Sequence, residues 1–150
     1  MSGRAELTPI RFGTDGWRAV IADQFTFANL ERVAQAYADY LKAQPVSLVV
    51  VGYDRRFLSD KFAARTAEVL AGNDLRVALF AEAVPTPVVS WAVKSNGAAG
   101  GVVITASHNP PHFNGFKIKA PWGGSATDET TRAVESLIDR KEPRRAELPA

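Results

Sequence analysis

Two continuous apolar runs, Leu48-Val49-Val50-Val51 and Val102-Val103-Ile104, constrain this chain more than any other feature. A strand with one face in water alternates apolar and polar residues; an unbroken run of β-branched residues needs cover on both faces. Segments with helical spacing of apolar residues stand between and around the two runs. The chain therefore reads as α/β, a three-layer αβα arrangement with a mixed, mainly parallel sheet.

The local signals place the elements. Thr26 is positioned to cap a helix running to about Lys42, with Leu30, Val33, Ala34, Tyr37 and Leu41 on one face and Pro45 beyond its end. A strand follows from Ser47 to Tyr53. Ser59 is expected to cap a second helix, with Phe62, Ala63, Thr66, Val69 and Leu70 inward and Gly72 as its stop. Leu75 to Phe80 reads as a strand, and Thr86-Pro87 as an N-cap with proline at the first helical position of a helix through Lys94. Gly100 to Thr105 is the next strand. Asn114-Gly115 has the chemistry of a tight hairpin turn leading into a short strand from Phe116 to Lys119. Thr127 is expected to cap a last helix from Asp128 to Lys141, and Pro143 onward reads as a tail or the start of a linker. The whole is one domain with its core over residues 10–141.

Composition removes several classes. Net charge is +2, from 18 Lys and Arg against 16 Asp and Glu. The basic run Arg140-Lys141, Arg144-Arg145 is interrupted by Glu142 and Pro143, which argues against a nucleic-acid face. With no cysteine there are neither disulfides nor thiolate metal sites. Met1 to Glu6 lacks the apolar core of a signal peptide, and no run reaches membrane-spanning length, so a cytoplasmic protein without a membrane partner is expected.

In open α/β sheets the working loops lie beyond the carboxyl ends of the strands. Two polar loops have that position here: Gly52-Tyr53-Asp54-Arg55-Arg56, and Ser107-His108-Asn109-Pro110 with the segment running on to Lys117. Ser107, on a loop leaving a buried strand, is held by a rigid scaffold yet exposed. That suits a nucleophile or phosphoryl carrier, and equally suits a polar turn. Adjacent Ser107 and His108 point apart on an extended backbone and no Gly-x-Ser-x-Gly elbow is present, which disfavours a serine hydrolase. Strand alternation puts Lys117 and Lys119 on one face, Phe116 and Ile118 on the other. Lys117 is then either an acid/base group directed back at Ser107 or part of a solvated hairpin. Phe12-Gly13-Thr14-Asp15-Gly16-Trp17-Arg18 supplies glycines for tight turning and an arginine fork suited to phosphate. For Arg56 a salt bridge with Asp54 is the default. No Asp-x-Asp-x-Asp run or His pair at ligand spacing occurs, so a metal site made wholly within the chain is not expected.

Taken together, Thr105-Ala106-Ser107-His108-Asn109-Pro110 with Asn114-Gly115-Phe116-Lys117 resembles the phosphoserine loop of the α-D-phosphohexomutase (phosphoglucomutase/phosphomannomutase) superfamily. Phe12 to Arg18 resembles that family's N-terminal signature, and Gly52, Asp54 and Arg56 its Gly-x-Asp-x-Arg loop; order and spacing agree over residues 10–140. Ala19 departs from the glycine usual after the arginine. The resemblance implies a phosphoserine at Ser107 that exchanges its phosphoryl group with a hexose phosphate through a bisphosphate. Its phosphate would also be one ligand of Mg²⁺. By the same resemblance Lys117 and His108 serve acid/base steps and Arg18 holds phosphate, while Asp15, Asp54, Arg56 and Asn109 support the site. The family's other three domains carry the metal carboxylates, the sugar-binding loop and the substrate-phosphate site, and none of their motifs occurs in this sequence. The expectation is a first domain alone, inactive by itself. Its partners are a hexose phosphate and the remaining mutase domains, with self-association through the face those domains cover. A mutase-like module kept for binding or assembly is the alternative.

Overall fold

The structure is a computed structural model that describes residues 7–149; Met1 to Glu6, on which the signal-peptide reading rests, and Ala150 lie outside the described residues. Five strands form one sheet. Two parallel pairings lie at its centre and one edge: β2 (Leu48–Tyr53) runs beside β3 (Arg76–Leu79) and beside β4 (Gly100–Ile104). The antiparallel pairings complete it, β5 (Phe113–Lys119) against β4 and β1 (Gly16–Val20) against β5, in the order β1-β5-β4-β2-β3.

Helices cover both faces, as the continuous apolar runs require. On one face α1 (Phe27–Lys42), α2 (Ser59–Gly72) and α4 (Asp128–Leu137) enclose the larger core. In it Phe25 stacks on Trp17 at 4.6 Å and meets Phe62 edge-on at 4.8 Å, contacts that add to plain burial. On the other face α3 (Thr86–Ser95) sets Val89, Ala92 and Val93 on Val50 and Val103. That smaller cluster takes no residue from β1 or β5. There the sheet presents Gly16, Arg18, Gly115, Lys117 and Lys119, by the alternation that turns Trp17, Phe116 and Ile118 into the larger core.

Several local expectations hold. Thr26 accepts the Asn29 N–H at 3.2 Å and Thr127 that of Thr130 at 3.3 Å, so both threonines cap as expected. Others are overturned by long-range contacts. Asn114-Gly115 is no turn: both residues lie inside β5, and the β4–β5 reversal is made by the serine loop itself. A Cβ on Gly115 would sit 2.5 Å from the Thr105 carbonyl oxygen and 3.0 Å from Arg18 Cγ, so the glycine serves close approach. Ser59 does not cap α2; it is the first helical residue, follows Leu58 at φ 62, and its hydroxyl donates to Asp54. Likewise Pro85, not Thr86, occupies the cap position of α3.

Gly72 is still helical, and a Cβ there would lie 2.5 Å from the Arg144 carbonyl oxygen. The segment after Pro143 is pinned across α1 and α2 at that point. Arg144 N donates to the buried Gln35 side chain at 3.0 Å and Ala146 N to the Glu68 carbonyl at 3.0 Å. α4 ends at Leu137, before the expected Lys141, because Ile138 is extended and Asp139 is left-handed at φ 64. That turn lets Asp139 take the buried Arg32 guanidinium in a two-pronged pair at 2.8 and 2.7 Å.

Candidate active site

The carboxyl ends of β2 and β4 point the same way, and their two loops meet there. Ser107 leaves β4 after Thr105 and Ala106 with φ 52, a left-handed backbone that is unfavourable for a residue with a Cβ. Its amide donates to Thr105 Oγ1 at 3.1 Å, while the serine hydroxyl is exposed and holds no hydrogen-bond partner among the described residues. His108 is exposed in the same way.

Arg56 explains how the loop is held. Its Nη2 donates to the Ser107 and Asn109 carbonyls, each at 2.7 Å, and its Nη1 to those of Pro110 at 2.8 Å and Phe113 at 3.1 Å. Four carbonyls of one loop thus converge on one planar cation, whose fixed fork is suited to that task. The expected pair with Asp54 is present at 3.4 Å. Asp54 itself is saturated: Oδ1 accepts the Arg56 amide at 2.9 Å and the Ser59 hydroxyl at 2.8 Å, and Oδ2 accepts the Thr105 hydroxyl at 2.7 Å.

Arg18 is placed otherwise. It stands exposed on β1, its stem over Gly115, and one nitrogen donates to Asn109 Oδ1 at 2.8 Å. The rest of its fork has no partner among the described residues, and Asn109 ties it to the serine loop. Lys117 lies on the same face and pairs with Asp15 at 3.0 Å, both side chains largely shielded. Burial works to raise the Asp15 carboxyl, but the hydrogen bond and charge of Lys117, helped by Ser125 and Lys119, hold it below the usual carboxylate range. Lys119 is 6% exposed, and burial first, then the Lys117 ammonium, press it below the ordinary lysine value against the pull of Asp15.

The structure therefore joins Arg56, Asp54, Asn109 and Arg18 to the Ser107 loop, and Asp15 to Lys117. Lys117 sits opposite Val103 in the β4–β5 register, within the sheet and not on a returning hairpin turn. Three participants escape the sequence reading. Ser59 and Asn114, both fully buried, form a hydrogen-bonded line behind the loop, Asn114 donating to Ser59 and Ser59 to Asp54, and Lys119 adds a cation beside Lys117 on the sheet below it. Strand alternation pairs Lys119 with Lys117 on one face; for Ser59 and Asn114 the local chemistry of caps and turns points elsewhere.

As for Mg²⁺, the described residues contain no group of three or more acidic or imidazole side chains that could hold a metal. The nearby carboxylates of Asp54 and Asp15 are already engaged by hydrogen bonds and by Lys117.

The chain is also similar to known proteins. A family model described as phosphoglucomutase/phosphomannomutase, alpha/beta/alpha domain I, covers residues 9–145. A phosphoglucomutase of Staphylococcus epidermidis is 37% identical over 142 residues, 89% of this chain and 25% of that protein. A Schizosaccharomyces pombe protein provisionally named a phosphoribomutase is 43% identical over 121 residues, 76% of this chain and 20% of its own length. A crystal structure from Thermus thermophilus, provisionally named a phosphomannomutase, superposes with a TM-score of 0.88 at 50% identity, over 91% of this chain and 31% of that one. The chain thus spans a quarter or less of these curated relatives.

Proposed function

This chain belongs to the phosphoglucomutase/phosphomannomutase family through its α/β/α domain I, and on that premise we propose that it supplies the phosphoryl-carrying serine of a mutase acting on a hexose phosphate. The observation that carries the reading is the contrast at Ser107: a backbone locked by Arg56 and Thr105, and a hydroxyl left exposed and unpartnered among the described residues.

In the proposed reaction a sugar hydroxyl oxygen attacks the phosphorus of phosphoserine 107 and the bond from phosphorus to Ser107 Oγ breaks. The sugar gives up its proton and Oγ regains one, so a bisphosphate and free serine result. The reverse step on the sugar's other phosphate restores the phosphoserine. Such transfers depend on positioning and charge stabilisation more than on covalent help. Arg18 would hold the oxygens of the group in transfer. Lys117, kept in place by Asp15, and the exposed imidazole of His108 would carry the proton between sugar oxygen and Oγ. Asp54, Arg56 and Asn109 would keep the loop in register.

Mg²⁺ would neutralise developing charge through the phosphate oxygens of Ser107, with carboxylate ligands contributed from outside this chain. The sugar grip would also lie outside, so by itself this domain is expected to be inactive as a mutase. Further mutase domains, or a second copy of the chain, would cover the exposed Trp91 and Trp122.

Phosphopeptide mapping of the natural polypeptide that carries this domain tests the reading. A phosphoryl adduct on Ser107, absent from Ser107→Ala together with mutase turnover, is expected. Normal turnover by Ser107→Ala eliminates the phosphoserine role and leaves this domain as a binding or assembly module.

A further inference from the structure

The hydrogen bonds behind the serine loop run in one direction. Asn114 Oδ1 is occupied by the Gly115 amide at 2.9 Å, so its Nδ2 is the group facing Ser59 Oγ at 2.9 Å, and it must donate. Ser59 has one proton, and it goes to Asp54 Oδ1 at 2.8 Å. The other oxygen of that carboxylate takes the single hydroxyl proton of Thr105 at 2.7 Å. Thr105 Oγ1 is thereby left with lone pairs only, aimed at the Ser107 amide at 3.1 Å. Ser59 and Asn114 are fully buried and Thr105 is 6% exposed, so water does not substitute along most of this line.

We propose that Asn114 and Ser59 are positioning residues for Ser107, acting through the relay Asn114–Ser59–Asp54–Thr105 that fixes the left-handed backbone of the serine. The inference rests on the phosphoserine reading above for its consequence, and on the hydrogen-bond order alone for its geometry. A left-handed serine costs on the order of 1 kcal/mol, comparable to one net hydrogen bond, so the last link of the relay is of the size needed to select that conformation. The hydroxyl is then presented outward while the amide stays tethered. Neither Ser59 nor Asn114 touches a reacting atom.

Amide hydrogen exchange at Ser107, followed by NMR on the full chain, separates the possibilities. The amides of Val50 and Val102 in the central strands serve as the control for global stability. Thr105→Val removes the acceptor, and exchange at Ser107 is expected to quicken by roughly tenfold; Thr105→Ser keeps the hydroxyl and restores the slow rate. Asn114→Asp can still accept the Gly115 amide but cannot donate, so the Ser59 proton turns to it and leaves Asp54. Quicker exchange at Ser107 is expected in this variant and in Ser59→Ala, with the strand controls unchanged. Exchange at Ser107 unaltered in both folded variants overturns the relay.

In the natural polypeptide, Ser59→Ala is expected to lower kcat with KM unchanged, since the sugar grip is untouched, and an unchanged kcat also overturns the positioning role. A Ser107 that never carries a phosphoryl group defeats the mutase reading instead, and is told apart by an exchange pattern that still follows the relay.

Discussion

Arg56 and Arg18 both border the serine loop, and both are guanidinium groups on polar segments near glycine. Their surroundings differ. Arg56 gives its two terminal nitrogens to four carbonyls and its Nε lies 3.4 Å from Asp54. Arg18 has one amide oxygen and otherwise faces solvent, in a floor where Lys117 and Lys119 share a single carboxylate, Asp15. A saturated cation has no capacity left for a ligand and can only organise; an unsaturated one costs the fold little to remove and remains available to an anion. Where β1 and β5 form the sheet, the face on the α3 side carries cations in place of an apolar cluster.

Arg56→Ala carries the largest expected loss. It strands four carbonyls and removes the counter-charge of Asp54, and a loss of about 2–3 kcal/mol is expected in urea unfolding, the partly exposed carbonyls keeping it from being larger. Arg56→Lys is expected to recover only a fraction, since an ammonium cannot span the fork. An Arg56→Ala protein of unaltered stability would mean that the loop holds its own shape and that the two arginines do not differ in kind.

Arg18→Ala is the counterpart, and a smaller one for stability: a change within about 0.5 kcal/mol is expected, as for an exposed side chain away from caps and core. Its effect belongs to anion binding. Protection of the fold by inorganic phosphate, read as a shift in the unfolding midpoint, is expected in the parent chain and reduced in Arg18→Ala. If Arg18→Ala costs more stability than Arg56→Ala, the assignment of organiser and ligand holder is reversed.

These two arginines also mark where the sequence becomes illegible. The double-covered strands and α1 are readable, because continuous β-branched runs and 3.6-residue spacing state their burial directly. β1 is obscured by its glycines: Gly13 and Gly16 suggest a loop, although Trp17 and Ala19 turning inward against an exposed Arg18 carry the period-two signal of a strand. Asn114-Gly115 shows the limit from the other side. Its local chemistry says turn, but the Asn114 amide is recruited by Ser59 55 residues earlier and Gly115 by the approach of Thr105 and Arg18. Ser59 fails as a cap for the same reason, its hydroxyl being claimed by Asp54. The serine motif and its neighbours could be named from the chain, whereas the bond order that separates Arg56 from Arg18 depends on pairings that no local pattern encodes.

A small expected effect concerns Lys119 and tests whether the strands below the serine loop are over-supplied with positive charge. Burial, with Lys117 beside it, lowers the pKa of Lys119 in the folded state, Asp15 only partly opposing this. Between that lowered value and the unfolded one near 10.4, the unfolded chain binds a proton the folded chain has released, so stability rises with pH across the window. Below the window both states are protonated and the cost of burying the ammonium is fully felt. Lys119→Met removes the charge and keeps the stem. It is therefore expected to be slightly more stable at neutral pH, by under about 1 kcal/mol, and to lose the alkaline gain that Lys119 contributes. Unfolding midpoints taken from neutral to alkaline pH check this. A parent and a variant whose profiles run parallel would show that Asp15 already balances the floor, leaving Arg18 alone to attract an anion.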